Sequence, residues 1–173
     1  MNDTVITVVA IFLAGTLMFI FPLMSTADRS DDISQQVIQT EITEFADNIR
    51  STGKITQDQY DNLVQTLGET GNHYVIDLEA QILDDSARKK TAQASSTKVG
   101  ENEYISEFTS QIMSQMASNG EYTLKEGDII MVRAKRDSKT IAEILKNFAY
   151  QFVGNSTEVW LAEAGGLVNV NGN

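Results

Sequence analysis

The sequence predicts an α+β protein in which one long N-terminal helix carries a small antiparallel sheet packed with short helices. Three observations lead to this prediction. Twenty residues without a charge, Val5–Met24, are followed by apolar residues at helical spacing, and no Gly or Pro lies between Met24 and Gly53. Further along, the segment "HYVIDLEAQIL" (residues 73–83) alternates apolar and polar side chains, which is typical of a half-buried strand.

The uncharged segment has the length of a membrane-spanning helix, because about 20 residues of α-helix cross about 30 Å of hydrocarbon. Only Thr7 and Thr16 are polar in it. A cleavable leader has a basic start and a shorter apolar core, whereas this chain begins with four residues that include no Lys or Arg. We therefore predict a retained membrane helix. The alternative is cleavage after Ala27, since Ser25 and Ala27 are small residues with A-x-A-like spacing.

After the membrane segment, an apolar stripe at three- and four-residue intervals predicts an amphipathic continuation of the same helix. The residues that form this stripe are Ile33, Val37, Ile38, Ile42, Phe45 and Ile49. The simplest interpretation is one helix from Thr4 to Arg50, roughly 70 Å long at 1.5 Å per residue. Gly53 is a plausible C-terminal glycine for it. The alternative is a break near Asp28 that separates a membrane helix from a surface helix.

The first part of the remaining chain predicts a helix, a strand and a loop. Thr56 and Gln59 have the spacing of a capping box that opens a short helix ending at Gly68. The strand at residues 73–83 follows. Residues 84–102 are rich in Ser, Thr and Lys and contain the basic run Arg88–Lys90, which predicts an exposed loop.

The second part predicts a helix, two strands around a turn, another helix and a final strand. The first of these helices is predicted from an apolar stripe and is expected to end at Asn119-Gly120. The residues of the stripe are Tyr104, Ile105, Phe108, Ile112, Met113 and Met116. The turn is expected at Lys125–Asp128, the second helix between Ser138 and Phe152, and the last strand around Gly165-Gly166. We divide the chain into an N-terminal helix, residues 1–53, and an α+β domain, residues 54–173.

Composition argues against several functional classes. The net charge of −11 disfavours a nucleic-acid partner, which requires clustered Lys and Arg. The chain has no cysteine and one histidine, His73, which removes thiolate sites and most His-based chemistry. Asp77 and Glu79 point to the same face of a strand, but solvated strand faces show the same spacing. We expect no enzyme activity, no cofactor, no metal and no small-molecule substrate.

The layout of the chain resembles the TadE-like (tight-adherence) family of membrane-anchored, type IV pilin-like proteins. The matching features are "VITVVAIFLAGTLMFIFPLM" continuing into "DDISQQVIQTEITEFADNIRSTG", and in the C-terminal half "EGDIIMVRAKR" and "EVWLAEAGGLVNV". The resemblance implies a structural subunit or minor pilin. Such a subunit is anchored in the membrane and assembles, with itself or with related subunits, into a surface filament, and its C-terminal domain lies on the extracellular side.

Under this hypothesis the apolar helix is both membrane anchor and assembly core. The side chains expected to carry the packing are Ile11, Phe12, Leu17, Phe19, Phe21 and Leu23, with Gly15 and Pro22 allowing close approach and a bend. The chain departs from the pilin pattern in lacking a basic leader and in having Val5 where pilins place a glutamate. We therefore do not expect classical processing by a prepilin peptidase.

Two other functions fit the same pattern. One is a membrane-anchored minor capsid or envelope-associated protein of a large virus, in which the helix ties a shell to an inner membrane. The other is an exported binding domain that is released by cleavage after Ala27 and is then a soluble monomer.

Overall fold

A computed structural model of the protein describes residues 2–84, 103–137 and 160–172. It contains, in chain order, α1 (Asn2–Thr52), β1 (Lys54–Thr56), α2 (Gln57–Gly68), β2 (Tyr74–Leu83), β3 (Tyr104–Phe108), α3 (Thr109–Asn119), β4 (Glu121–Thr123), β5 (Ile129–Arg136) and β6 (Ala162–Leu167). The α+β fold with a long N-terminal helix is thus confirmed. The predicted loop beyond Asp84 and the predicted helix between Ser138 and Phe152 lie outside the described residues.

The described residues belong to two compact units. The first holds residues 2–36, and the second holds residues 37–84, 103–137 and 160–172. The last part of α1, from Val37, therefore belongs to the unit that contains the sheets. This division follows contacts within the molecule. The predicted boundary at residue 53 followed the end of the helix and stays a prediction.

Helix α1 runs without interruption from Asn2 to Thr52 and includes Pro22. No break occurs near Asp28, so the prediction of one continuous helix is confirmed. The helix ends at Gly53, which has φ 68° and donates its N–H to the Ile49 carbonyl at 2.7 Å. A residue with positive φ at a helix end costs least when it is glycine.

The main sheet has four antiparallel strands in the order β3-β2-β5-β6. Strand β2 buries alternate residues, Ile76, Leu78 and Ala80, as the sequence pattern predicts. Strand β5 does the same with Ile130, Val132 and Ala134. Both strands therefore direct one apolar face to the core and the other face outward.

Strand β4 is the predicted strand before the turn at Lys125–Asp128, but it pairs with β1, which the sequence pattern does not predict, in a second sheet of two strands. The strands are three residues long and pair Ile55 with Tyr122. Helix α2 starts directly after β1 with the predicted capping box: the Gln59 N–H donates to the Thr56 hydroxyl, and the Gln59 side chain accepts from the Thr56 N–H.

The predicted helix over Tyr104–Met116 is wrong in its first part. Residues Tyr104–Phe108 form β3, and only Thr109–Asn119 form the helix α3. Pairing with β2 overrides the local helical spacing, because it supplies main-chain partners and packs Ile105 opposite Ile82. The helix begins where the Gln111 side chain accepts from the Phe108 N–H at 2.9 Å.

One edge of the main sheet is covered by α1. The Gln39 side chain donates to the Glu163 carbonyl at 3.3 Å, and the Arg50 guanidinium donates from Nε to the Leu167 carbonyl at 3.0 Å. Both carbonyls belong to β6. Uncovered strand edges are templates for pairing with other chains, and these two bonds occupy carbonyls that another strand would need.

Asp128 is buried, with 2% of its surface exposed, and holds the turn before β5. Its carboxylate accepts from the Leu83 N–H at 2.8 Å and from the Lys125 N–H at 2.7 Å. Asp128→Ala leaves two main-chain donors without this acceptor, so we expect a loss of about 3 kcal/mol in unfolding free energy. Urea unfolding in detergent measures it. The exposed Asp137→Ala is the control, and equal midpoints for the two variants would contradict the assigned role.

The Tyr122 hydroxyl donates to a Glu107 carboxylate oxygen at 2.8 Å, and only 2% of the residue is exposed. Burial first, and then the hydrogen bond to Glu107 and its charge, raise the pKa of Tyr122 well above 10. In the unfolded chain this phenol ionises near pH 10. The folded state keeps the proton, so its contribution to stability is complete below pH 10 and is lost as pH rises above it.

We expect the unfolding free energy to fall above pH 10 by up to about 1.4 kcal/mol per pH unit from this group alone. Tyr122→Phe removes that part of the slope while keeping the ring in the core. Urea midpoints of both chains between pH 9 and pH 11 measure the difference. The same slope in both chains would show that Tyr122 is not the responsible phenol.

Candidate membrane and assembly helix

The N-terminal half of α1 presents its apolar side chains outward on every side. Twelve large apolar residues between Val5 and Leu23 are exposed, from 41% at Leu17 to 77% at Phe12. The six residues predicted to carry packing are all among them: Ile11, Phe12, Leu17, Phe19, Phe21 and Leu23. The other six, which the prediction did not single out, are Val5, Ile6, Val8, Val9, Leu13 and Met18. The uncharged run alone identifies the whole set.

Helix α1 is long and apolar enough to span a membrane, judged by its length and composition. Its most apolar window of 18 residues has a mean hydropathy of 2.5, and none of that window is buried. A core helix of a soluble protein passes the same length test but is mostly covered by its own chain. The exposed surface of α1 is instead available to lipid or to another molecule.

Three threonine hydroxyls of this half are hydrogen-bonded within the helix. Thr7 donates to the Asp3 carbonyl at 2.8 Å, Thr16 to the Phe12 carbonyl at 2.8 Å, and Thr26 to the Pro22 carbonyl at 2.9 Å. Each bond runs back to the carbonyl four residues earlier. Since hydrocarbon offers no hydrogen-bond partner, polar groups inside a membrane must be paired in this way.

Gly15 and Pro22 make the helix surface uneven. A methyl group at Gly15 would meet no atom within 4 Å, so the backbone is open to close approach there. Pro22 has no N–H, and the Met18 carbonyl therefore lacks its usual helical donor. Both features lie in the segment whose side chains are most exposed.

The predicted amphipathic stripe is occupied for most of its length by the chain itself. Ile38, Ile42 and Ile49 are fully buried and Phe45 is 8% exposed, all within the core that also contains residues of both sheets. Val37 is half-buried, and Ile33 is 54% exposed. The stripe from Ile38 onward is thus used to attach α1 to the folded unit and is not a free surface.

The opposite, polar face of the same segment lines a shallow open depression. The lining residues are Gln39, Thr40, Thr43, Glu44, Asp47, Asn48 and Ser51. Asp47 pairs with Arg50 at 2.7 Å, the Thr43 hydroxyl donates to the Gln39 carbonyl at 2.6 Å, and the Asn48 side chain accepts from Gln59 at 3.1 Å. These groups bind one another and do not converge on a ligand.

The two carboxylates of β2 are tied into the outer face of the sheet. Glu79 accepts from Gln81, Ser106 and Arg133, and these bonds, that of Gln81 first, hold its pKa below the ordinary value. Asp77 accepts from the Thr109 hydroxyl at 3.0 Å. Within residues 2–84, 103–137 and 160–172, no group of three or more His, Asp or Glu side chains is placed to hold a metal.

Comparison of the chain with protein-family models, with curated proteins and with solved structures gives no match. The resemblance to the TadE-like family stays a prediction. The features of the chain that bear on its function are the exposed apolar half of α1 and the attachment of the rest of α1 to the sheets.

Proposed function

We propose that the protein is a structural, non-enzymatic subunit of the pilin-like class, anchored in a membrane by α1 and assembled through the same helix into a surface filament. The observation that carries this proposal is the exposed apolar surface between Val5 and Leu23. The subunit assembles with copies of itself or with related subunits, and its acidic C-terminal domain lies on the extracellular side.

Leaving this apolar surface in water costs free energy. Covering a large apolar side chain is worth about 1.5–3 kcal/mol. For the twelve exposed side chains of α1 the sum is on the order of 20 kcal/mol. A surface of that size is covered by lipid before assembly and by neighbouring α1 helices afterwards.

The attachment of α1 to the folded unit supports a role in assembly. The buried stripe from Ile38 to Ile49, together with Gln39 and Arg50, fastens the helix to the sheets. A helix that is bound at one end and apolar at the other can join subunits in a head-to-tail manner. Such contacts produce filaments when the rotation between subunits does not close a ring.

The test is the intact mass and N-terminal sequence of the mature protein, together with negative-stain microscopy of the same fraction. We expect a chain that retains the apolar half of α1 and is found in filaments. The same chain found in closed particles would favour the viral capsid or envelope alternative. A product that begins at Asp28 and is free in solution would exclude both and would favour the released binding domain.

A further inference from the structure

The two edges of the main sheet differ. The outer edge of β6 is covered by the Gln39 and Arg50 side chains of α1. Strand β3 forms the opposite edge, and within the part of the chain that the structure describes no strand pairs with its outer side. The outer edge of β3 consists of residues Tyr104–Phe108.

The pairing with β2 determines which main-chain groups of β3 point outward. The Asp84 N–H donates to the Glu103 carbonyl at 2.9 Å, and residues 83 and 104 are directly opposite each other. Because hydrogen-bonded and non-hydrogen-bonded pairs alternate in an antiparallel ladder, Ile105 and Glu107 bond to β2. The N–H and C=O groups of Tyr104, Ser106 and Phe108 therefore point away from the sheet.

The side chains around this edge are accessible and carry little charge. Ile105 is 52% exposed and Phe108 is 55% exposed, and Ser106 is exposed as well. The edge has no Lys and no Pro, which are the residues that usually block strand addition. Its one charged residue, Glu107, is held by the Tyr122 hydroxyl at 2.8 Å and the Gln115 amide at 3.0 Å.

We propose that β3 of one copy pairs antiparallel with β3 of a second copy, centred on Ser106. In this register Ser106 faces Ser106 of the second copy, and Tyr104 faces Phe108 on both sides of the two-fold axis. The main-chain groups of these three residues point outward, so this register places them where they can hydrogen-bond to the second copy. Aromatic cross-strand pairs are stabilising, and Glu107 faces Ile105, so no like charges oppose each other.

The second copy is the partner that this edge fits, because the sequence "YISEF" is complementary to itself in this register. The contact is small, since the Phe108 N–H already donates to Gln111. Two chains of net charge −11 also repel each other. Added salt screens that repulsion, so the pairing is stronger at high ionic strength.

The pair goes beyond the proposed function and does not depend on it. A two-fold contact closes after two copies, whereas the filament contact through α1 is head-to-tail. In detergent, where α1 is covered, the same pairing gives dimers.

The test uses the full chain in detergent with Ser106→Cys, which is informative because the native sequence has no cysteine. Opposite residues of a hydrogen-bonded antiparallel pair are about 5.5 Å apart at Cα, within the range that a disulfide bridges. We expect mild oxidation to give a disulfide-linked dimer, and its yield to rise with salt. The control is Ser114→Cys, which is exposed on α3.

A second variant, Ser106→Pro, tests whether main-chain hydrogen bonds of β3 hold the two copies together. It removes an outward N–H and leaves the bonds of Ile105 and Glu107 to β2 in place, so we expect loss of the salt-dependent dimer with an unchanged circular dichroism spectrum. If that variant does not fold, Ile105→Lys places a charge at the same edge and serves instead. Equal disulfide yields from Ser106→Cys and Ser114→Cys would overturn the proposal. The disulfide yields are measured in detergent and do not depend on filament formation. They therefore test β3 pairing even if α1 does not assemble filaments.

Discussion

A chain carrying Leu17→Asp is expected to lose both membrane anchoring and assembly. Leu17 lies near the middle of the apolar half of α1, and a charge at the centre of a membrane helix costs at least about 2.5–3.5 kcal/mol. Between packed helices the same carboxylate would be buried without a partner, which is also strongly unfavourable. Carbonate-resistant membrane fractionation measures anchoring, and negative-stain microscopy measures assembly.

Two matched variants separate this effect from a general defect. Leu17→Met keeps the apolar surface and should anchor and assemble like the native chain. Gln35→Asp places the same charge on an exposed part of α1 beyond the apolar half and should also anchor. Normal export, anchoring and assembly of Leu17→Asp would be incompatible with both the pilin-like proposal and the viral alternative.

Gly53→Ala is expected to destabilise the folded unit by about 2–5 kcal/mol, the sum of a left-handed backbone penalty and an overpacking term. Gly53 has φ 68°, and a Cβ there would lie 2.5 Å from the Gly172 nitrogen and 2.8 Å from the Val170 carbonyl oxygen. The C-terminal segment crosses the end of α1 at this point. Urea unfolding of the full chain in detergent, followed by circular dichroism, measures the loss.

Gly120→Ala is the control for this prediction. Gly120 also follows a helix, α3, and has φ 84°, but a Cβ there would meet no atom within 4 Å. We expect Gly120→Ala to show the backbone penalty alone, about 1–2 kcal/mol. The excess loss in Gly53→Ala then measures the tight crossing with Gly172. Equal losses would mean that the crossing relaxes without cost.

Elements with strong local signals could be predicted from the sequence. The long helix follows from an uninterrupted run without Gly or Pro, and α2 follows from its capping box. Strand β2 shows a clean period of two over ten residues. In each case local backbone preference and tertiary packing favour the same structure, so a window of sequence was sufficient.

Elements that exist because of distant partners could not be predicted. Strand β1 is three residues long and lies between a helix end and a capping box, so only its pairing with β4 identifies it. Strand β3 has apolar residues whose spacing continues that of α3. Helix and strand were both compatible with that spacing, and pairing with β2 decides between them.

The position of the candidate site on α1 could be predicted from the sequence, but the residue at which its free apolar surface ends could not. The twenty uncharged residues predict a membrane helix by their length, and a helix that lies in lipid keeps its apolar side chains on the outside. The stripe from Ile38 onward looked equally available to a partner, yet it forms part of the core with the sheets. A pattern shows that a face must be buried, but it does not show which surface buries it.

The covering of β6 by α1 has a consequence for how the chain is made. Gln39 and Arg50 meet partners that lie 124 and 117 residues later in the chain. At about 5–20 residues per second, synthesis of that interval takes on the order of ten seconds. During this time the attached half of α1, from Ile38 onward, lacks the strand to which Gln39 and Arg50 bond. Closure of the folded unit is therefore a late event, reached only after β6 has emerged from the ribosome.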